Sequence, residues 1–168
     1  MELARAVLET YVKTGSLPDF RTEDPALLER AGCFVTLRKK GELRGCVGTM
    51  TSERPLADQV IRMTAAAASN DFRFSPVRAD ELGEIQMEIS ILSPLEPIRS
   101  WEEIEAGRHG IYVEGGNRAG VFLPEVAEEM HWTAEEFVRT CRVQKAGIPE
   151  SAGSAVKLYR FTTEKIQE

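Results

Sequence analysis

Glu42-Leu43-Arg44-Gly45-Cys46-Val47-Gly48 places a guanidinium, a thiol and two glycines close together in the chain. A guanidinium beside a thiol favours the thiolate and offers a planar fork to a carboxylate or phosphate. Glycine at Gly45 and Gly48 removes the flanking side chains, so a ligand or another backbone can come close. Two chemistries follow. In the first, Cys46 is a nucleophile, Arg44 holds an anionic group and His109 takes the thiol proton. In the second, Arg44, Gly45, Gly48 and Arg73 receive an anionic small molecule or peptide without catalysis. Each residue also has a structural role to offer. A strand cysteine is usually a small buried hydrophobe, strand glycines serve close packing, and His109 can bond to backbone at the start of a hairpin. Arg44 then lines a concave surface or braces the loop around Arg73 through backbone carbonyls. Arg73, between Phe72 and Phe74, either meets the same anion as Arg44 or is solvated while both rings anchor its loop. The packed reading of Cys46 and the binding reading of the whole are preferred.

The elements that must hold these residues are legible in part. Cys33, Val35 and Leu37 alternate, Lys39-Lys40-Gly41-Glu42 is a turn, and Leu43 to Val47 is the returning strand, with Arg44 and Cys46 on one face. Leu3, Val7, Leu8, Tyr11 and Val12 make residues 2–14 an amphipathic helix closed by Gly15. Residues 17–28 form a looser surface wrap. Ser52 is placed to cap a helix carrying Leu56, Val60, Met63 and Ala67, with a slim run at Ala65 to Ala68. Ile85, Met87, Ile89 and Ile91 alternate with polar residues and give the clearest strand. Residues 101–106 read as a short helix. A second hairpin runs Gly110 to Glu114 and Gly120 to Leu123 about a Gly115-Gly116-Asn117 turn. Pro124 opens a helix, Thr133 with Glu136 forms a capping box for another, and Gly147 ends it. Ser151 to Ser154 reads as a flexible connector, Lys157 to Phe161 as a last strand, and the tail as polar. Strand, glycine turn, strand and helix occur twice, which suggests a duplicated unit. The expectation is an α+β domain over 1–168, of two lobes near 1–100 and 101–168, with helices packed on antiparallel sheets.

Composition narrows the function. The 168 residues are 42% hydrophobic and 29% charged, with a net charge of −6. That balance argues against nucleic-acid binding, which needs broad positive potential. Arg38, Lys39, Lys40 and Arg44 nonetheless cluster, opposed locally only by Glu42, which would suit a small anion. Three cysteines without a CxxC pair imply a reduced, cytoplasmic chain. Two histidines without ligand spacing imply no metal site, and no cofactor motif is present. Neither a secretory leader nor a membrane span is expected.

Leu43-Arg44-Gly45-Cys46-Val47-Gly48, together with Gly32 to Leu37, Arg73 to Val77, Glu88 to Leu92, His109-Gly110-Ile111, Leu123 to Ala127 and Lys145-Ala146-Gly147, strongly resembles the AMMECR domain family. Its bacterial and archaeal members are often called protein A of the AmmeMemoRadiSam system. The resemblance covers nearly the whole chain. It implies a two-lobed α+β domain, encoded beside a Memo-like protein and a radical-SAM protein as partners, with no established activity. Phe72 stands where the family usually has proline, and Glu125 where it usually has glutamine.

Overall fold

The structure, a computed structural model, describes residues 1–151 and 156–168. Most of the connector read as flexible, 152–154, therefore lies outside the described residues. The chain divides into two compact units, Met1–Leu92 with Glu164–Glu168, and Ser93–Thr163. The C-terminal segment thus belongs with the first unit, which a sequential division near residue 100 does not provide.

In the first unit, α1 (Glu2–Thr14) ends at Gly15, whose φ of 73° lets its N–H reach the Tyr11 carbonyl. A one-turn helix α2 (Pro25–Leu28) interrupts the wrap that follows, capped by Asp24. Strands β1 (Cys33–Lys39) and β2 (Glu42–Thr49) form the first hairpin. Its turn has positive φ at both Lys40 (54°) and Gly41 (85°), the left-handed pair that a tight hairpin requires. Helix α3 (Leu56–Ser69) and strand β3 (Ile85–Leu92) complete the expected framework. Helix α3 starts directly after Pro55. Ser52 does not cap it; its hydroxyl instead accepts from the Arg54 N–H and the Gln59 amide.

The second unit holds β4 (Glu96–Ile98), β5 (Gly110–Gly115), β6 (Arg118–Phe122), α4 (Pro124–Glu129), α5 (Ala134–Thr140) and β7 (Lys157–Phe161). Residues 101–106 supply only a 3-10 turn at Trp101–Glu103. The Thr133–Glu136 capping box forms as expected. Helix α5 then continues into a π turn, Cys141–Lys145, and Gly147 follows at a φ of 66°. The polar tail is strand β8 (Thr163–Gln167), which Ile166 alone could not announce as an alternating pattern.

The sheets run β2-β1-β3-β8 and β4-β7-β5-β6. In each, the first hairpin strand pairs antiparallel with both its hairpin mate and a later strand, and a helix follows the hairpin. The same strand–strand–helix plan therefore recurs. One core joins Leu8 of α1 and Val60 of α3 to Val35, Leu37, Met87 and Ile89 of the first sheet. The other gathers Ile111, Val113, Phe137 and Cys141.

Helix α3 crosses β2 at its alanines. A Cβ built on Gly45 would lie 2.2 Å from the Ala67 carbonyl oxygen, so only glycine permits that approach. Gly45→Ala should therefore lower stability by about 1–3 kcal/mol. Gly83→Ala, whose Cβ would meet nothing within 4 Å, should change it by less than about 0.5 kcal/mol. Urea melts of the two variants check this pair.

Candidate functional site

The chemistry-bearing residues gather at the edge of β2. Leu37 pairs with Gly45 but Arg38 pairs with Leu43, so Arg44 is an extra residue in a β-bulge. The bulge takes Arg44 out of the alternation that would have set it beside Cys46. Its guanidinium turns to the segment between α3 and β3 and forms a fork on Glu81, with Nε at 3.1 Å and Nη2 at 2.9 Å from the carboxylate oxygens. The remaining donors go to the carbonyls of Ser75 at 2.8 Å and Pro76 at 3.2 Å. Arg44 braces the loop around Arg73 through backbone carbonyls, one of the two roles the sequence allowed it.

Glu81 also accepts Lys39 at 3.0 Å and the Arg78 N–H at 3.0 Å. Glu84 takes Lys39 and Lys40 at 3.4 and 3.5 Å. The basic cluster expected to attract an anion is thus largely answered by the chain's own carboxylates. Arg44, first among its partners, holds the Glu81 carboxyl far below its ordinary value near 4.5.

Arg73 does not join Arg44 at a shared anion. It closes back on Asp71, with Nε at 2.9 Å and Nη2 at 2.7 Å. The buried Asp71 carboxylate also accepts the Cys46 N–H at 2.8 Å, while Arg73 Nη2 donates to the Cys46 carbonyl at 3.4 Å. These two side chains thereby satisfy an edge-strand N–H and C=O, as a neighbouring strand would. The Arg73 fork, with desolvation opposing it, keeps the Asp71 carboxyl far below its ordinary value near 3.8.

Cys46 faces Thr36 across the hairpin and is half-buried, whereas Cys33 and Cys141 are buried. The Thr36 hydroxyl donates to its Sγ at 3.3 Å. The guanidinium near this thiol is that of Arg73, not Arg44. The preferred expectation of a fully packed Cys46 is met only halfway. Gly45 and Gly48 leave no room for a ligand. The first is filled by the Ala67 carbonyl, and a Cβ on the second would lie 2.3 Å from the Phe34 ring.

His109 belongs to the second unit. Its Nδ1 accepts the Glu105 N–H at 3.0 Å, and burial, followed by Arg160 and Arg108, pushes its pKa below 6.5. It is the backbone-bonded histidine of the structural reading. Phe72 corrects another expectation: it is 96% exposed and anchors nothing, while Phe74 stacks under the Arg73 guanidinium at 5.5 Å. The reason is geometric, because Asp71 and Arg44 already fix both ends of the loop.

Sequence alone does not single out Asp71, Glu81 or Thr36 as site residues. Asp71 two residues before Arg73 is the spacing of an Asx turn, and its N–H bond from Arg73, at 3.2 Å, is of that kind. Glu81 carried no signal, since Arg78 three residues earlier is not a capping residue. A hollow of about 330 Å³ opens beside this network, lined by Lys39, Arg44, Phe74, Ser75, Arg78, Asp80 and Glu81.

The AMMECR1 family model matches residues 1–166, and the chain belongs to that family. A Thermococcus gammatolerans protein is 40% identical, over 100% of this chain and 88% of its own length. A Thermotoga maritima protein is 42% identical, over 95% and 91%. The crystal structure of uncharacterized protein PH0010 from Pyrococcus horikoshii superposes with a TM-score of 0.90 at 36% identity, covering 99% of this chain and 88% of that one. Among the described residues no helix is long and apolar enough to cross a membrane.

Arg44→Lys keeps the charge but loses the fork, and should cost about 1–3 kcal/mol in a urea melt while the sheet spectrum persists. Acid should destabilise the fold through Asp71 and Glu81. Both carboxyls are depressed in the folded chain, so their stabilisation is complete well above 4.5 and 3.8 and is lost progressively as the pH falls below those values. Glu81→Gln should flatten that acid limb in melts recorded as the pH is lowered.

Proposed function

We propose that this protein is a non-catalytic binding module acting in the cytoplasm. Its partners are the Memo-like and radical-SAM proteins that the family resemblance implies, and its ligand is a small molecule or peptide carrying an anionic group. One observation carries the reading. The charged groups along the β2 edge are spent on fixing the loop from Asp71 to Pro76, which leaves a rigid hollow rather than a set of free reacting groups. Such preorganisation favours recognition, because little order has to be imposed on binding. Phe74 supplies an aromatic wall, and Arg78, whose side chain pairs among the described residues with exposed Asp80, is the cation most easily released to a ligand. Titration calorimetry with the purified Memo-like and radical-SAM proteins tests it. Saturable binding to at least one is expected, weakened at least tenfold by Arg78→Glu. No binding to either would overturn the partner assignment.

A second reading makes Cys46 the nucleophile of an enzyme, with Arg44 holding an anionic substrate group. It is favoured by one fact: of the three cysteines, only Cys46 is not buried. Burial pushes the Cys33 and Cys141 thiols up to about 12, which makes them internal references. The first unit contains no histidine to serve as its base. Under the binding reading, Cys46 labels with iodoacetamide at neutral pH before Cys33 and Cys141, but no faster than a free small-molecule thiol. Faster labelling, with loss of function on Cys46→Ser, would favour the enzyme.

A further inference from the structure

Among the described residues, every cation lining the hollow beside β2 already has a carboxylate partner. Arg44 forks onto Glu81, Lys39 meets Glu81 at 3.0 Å and Glu84 at 3.4 Å, and Arg78 forks onto Asp80. A bare anion therefore finds no open charge there, and enters only by drawing a cation away from a carboxylate. The pairs differ in how firmly they are held. The Arg44 and Glu81 side chains are 14% and 12% exposed, and Glu81 also receives Lys39 and the Arg78 N–H. The Arg78 and Asp80 side chains are 74% and 62% exposed, with Arg78 Nε at 3.0 Å from the carboxylate. Exposed pairs contribute little and open readily. The hollow thus has a fixed inner wall and one pair that opens.

Opening that pair from one side alone is opposed. A carboxylate that takes Arg78 strips Asp80 of its partner and leaves it beside Glu81. The Arg78 fork holds the Asp80 carboxyl below its ordinary value, while the Glu81 charge pushes it the other way. A lone ammonium that takes Asp80 strips Arg78 in the same manner. A ligand with both charges on neighbouring groups answers both. Its carboxylate receives the Arg78 fork and its N–H groups donate to Asp80, so one ion pair is exchanged for two and no charge is left unpaired. Size narrows the class further. A volume of about 330 Å³ lies at the small end of ligand pockets, which run from about 300 to 1,000 Å³, and suits a small metabolite rather than a large cofactor. Phe74 gives the hollow an apolar wall. Its backbone is fixed by its own N–H on the Asp71 carbonyl at 3.0 Å and by Arg44 on the Ser75 and Pro76 carbonyls.

We infer that the hollow binds a free α-amino acid with an apolar side chain, its carboxylate on Arg78, its ammonium on Asp80 and its side chain against Phe74. This rests on the binding reading above and narrows its ligand, because the anionic group arrives with a cation of its own. Lys39, Arg44 and Glu81 are not ligands in this arrangement. They hold the wall against which the outer pair exchanges.

Amide NMR spectra of the full chain, titrated at neutral pH with L-phenylalanine, hydrocinnamate and phenethylammonium, test the inference. The two analogues keep the ring but carry only the carboxylate or only the ammonium. L-Phenylalanine should shift the Phe74, Arg78 and Asp80 amides saturably, with a Kd at least tenfold below that of either analogue. Asp80→Asn should weaken phenylalanine at least tenfold yet tighten hydrocinnamate, because Arg78 is then free for the anion. Arg78→Gln should weaken phenylalanine to the same degree. Both side chains are exposed and the Arg78 N–H keeps its bond to Glu81, so melting should be unchanged. Either analogue binding as tightly as phenylalanine overturns the inference, and so does phenylalanine binding that Asp80→Asn leaves intact. If the tight analogue is hydrocinnamate, an anion-binding hollow still stands. The absence of a saturable shift with phenylalanine also overturns the inference, while calorimetry with the Memo-like and radical-SAM proteins reads the partner assignment separately.

Discussion

The Glu81 carboxylate receives Arg44 through two nitrogens, Lys39 and the Arg78 N–H, and the arrangement around β2 depends on that group. Four donors on one mostly buried carboxylate define a single position for the segment that bears it. Arg44 is thereby aimed, and its spare donors reach two consecutive loop carbonyls. Charge-assisted bonds of this kind are strong mainly because leaving any member unpaired is costly. The site is therefore better described as a scaffold of mutually satisfied charges than as an array of reactive ones.

The edge of the sheet poses a separate problem. Strand β2 is an outer strand, and an unpaired N–H and C=O there would template pairing with another chain. Asp71 and Arg73 answer both groups of Cys46 with side chains. The bulge at Arg44 further interrupts the edge. Guarding the strand and fixing the loop are thus accomplished by the same residues, which is why the Asp71–Pro76 segment is rigid and yet leaves Phe72 outside.

The glycines of the central motif are explained by distance. The Ala67 carbonyl occupies the place of a Gly45 side chain, and the Phe34 ring occupies that of Gly48. Small residues on α3 and on β2 face one another, so helix and sheet approach more closely than larger side chains would allow. Cys46 lies between these two glycines on the sheet face shared with Thr36. It is neither a core residue like Cys33 nor a freely exposed thiol.

The sequence by itself determined the parts governed by local periodicity and turn chemistry. Alternation in Cys33 to Leu37 and Ile85 to Ile91, helical spacing from Leu3 to Val12, the capping pair Thr133–Glu136 and the glycine turns placed the α+β framework and both hairpins, because these signals act over a few residues. The family motif likewise marked Arg44, Cys46 and Arg73 as residues that matter. Tertiary structure alone decided what they do. Glu81 and Asp71 lie 37 and 25 residues from Arg44 and Cys46, and nothing local announces either pairing. The bulge that separates Arg44 from Cys46 arises from the register between two strands, and β8 becomes a strand only because β3 offers it an edge. Phe72 reads as an anchor in a linear sequence. It is left in solvent because carboxylates and carbonyls distant along the chain hold its loop first.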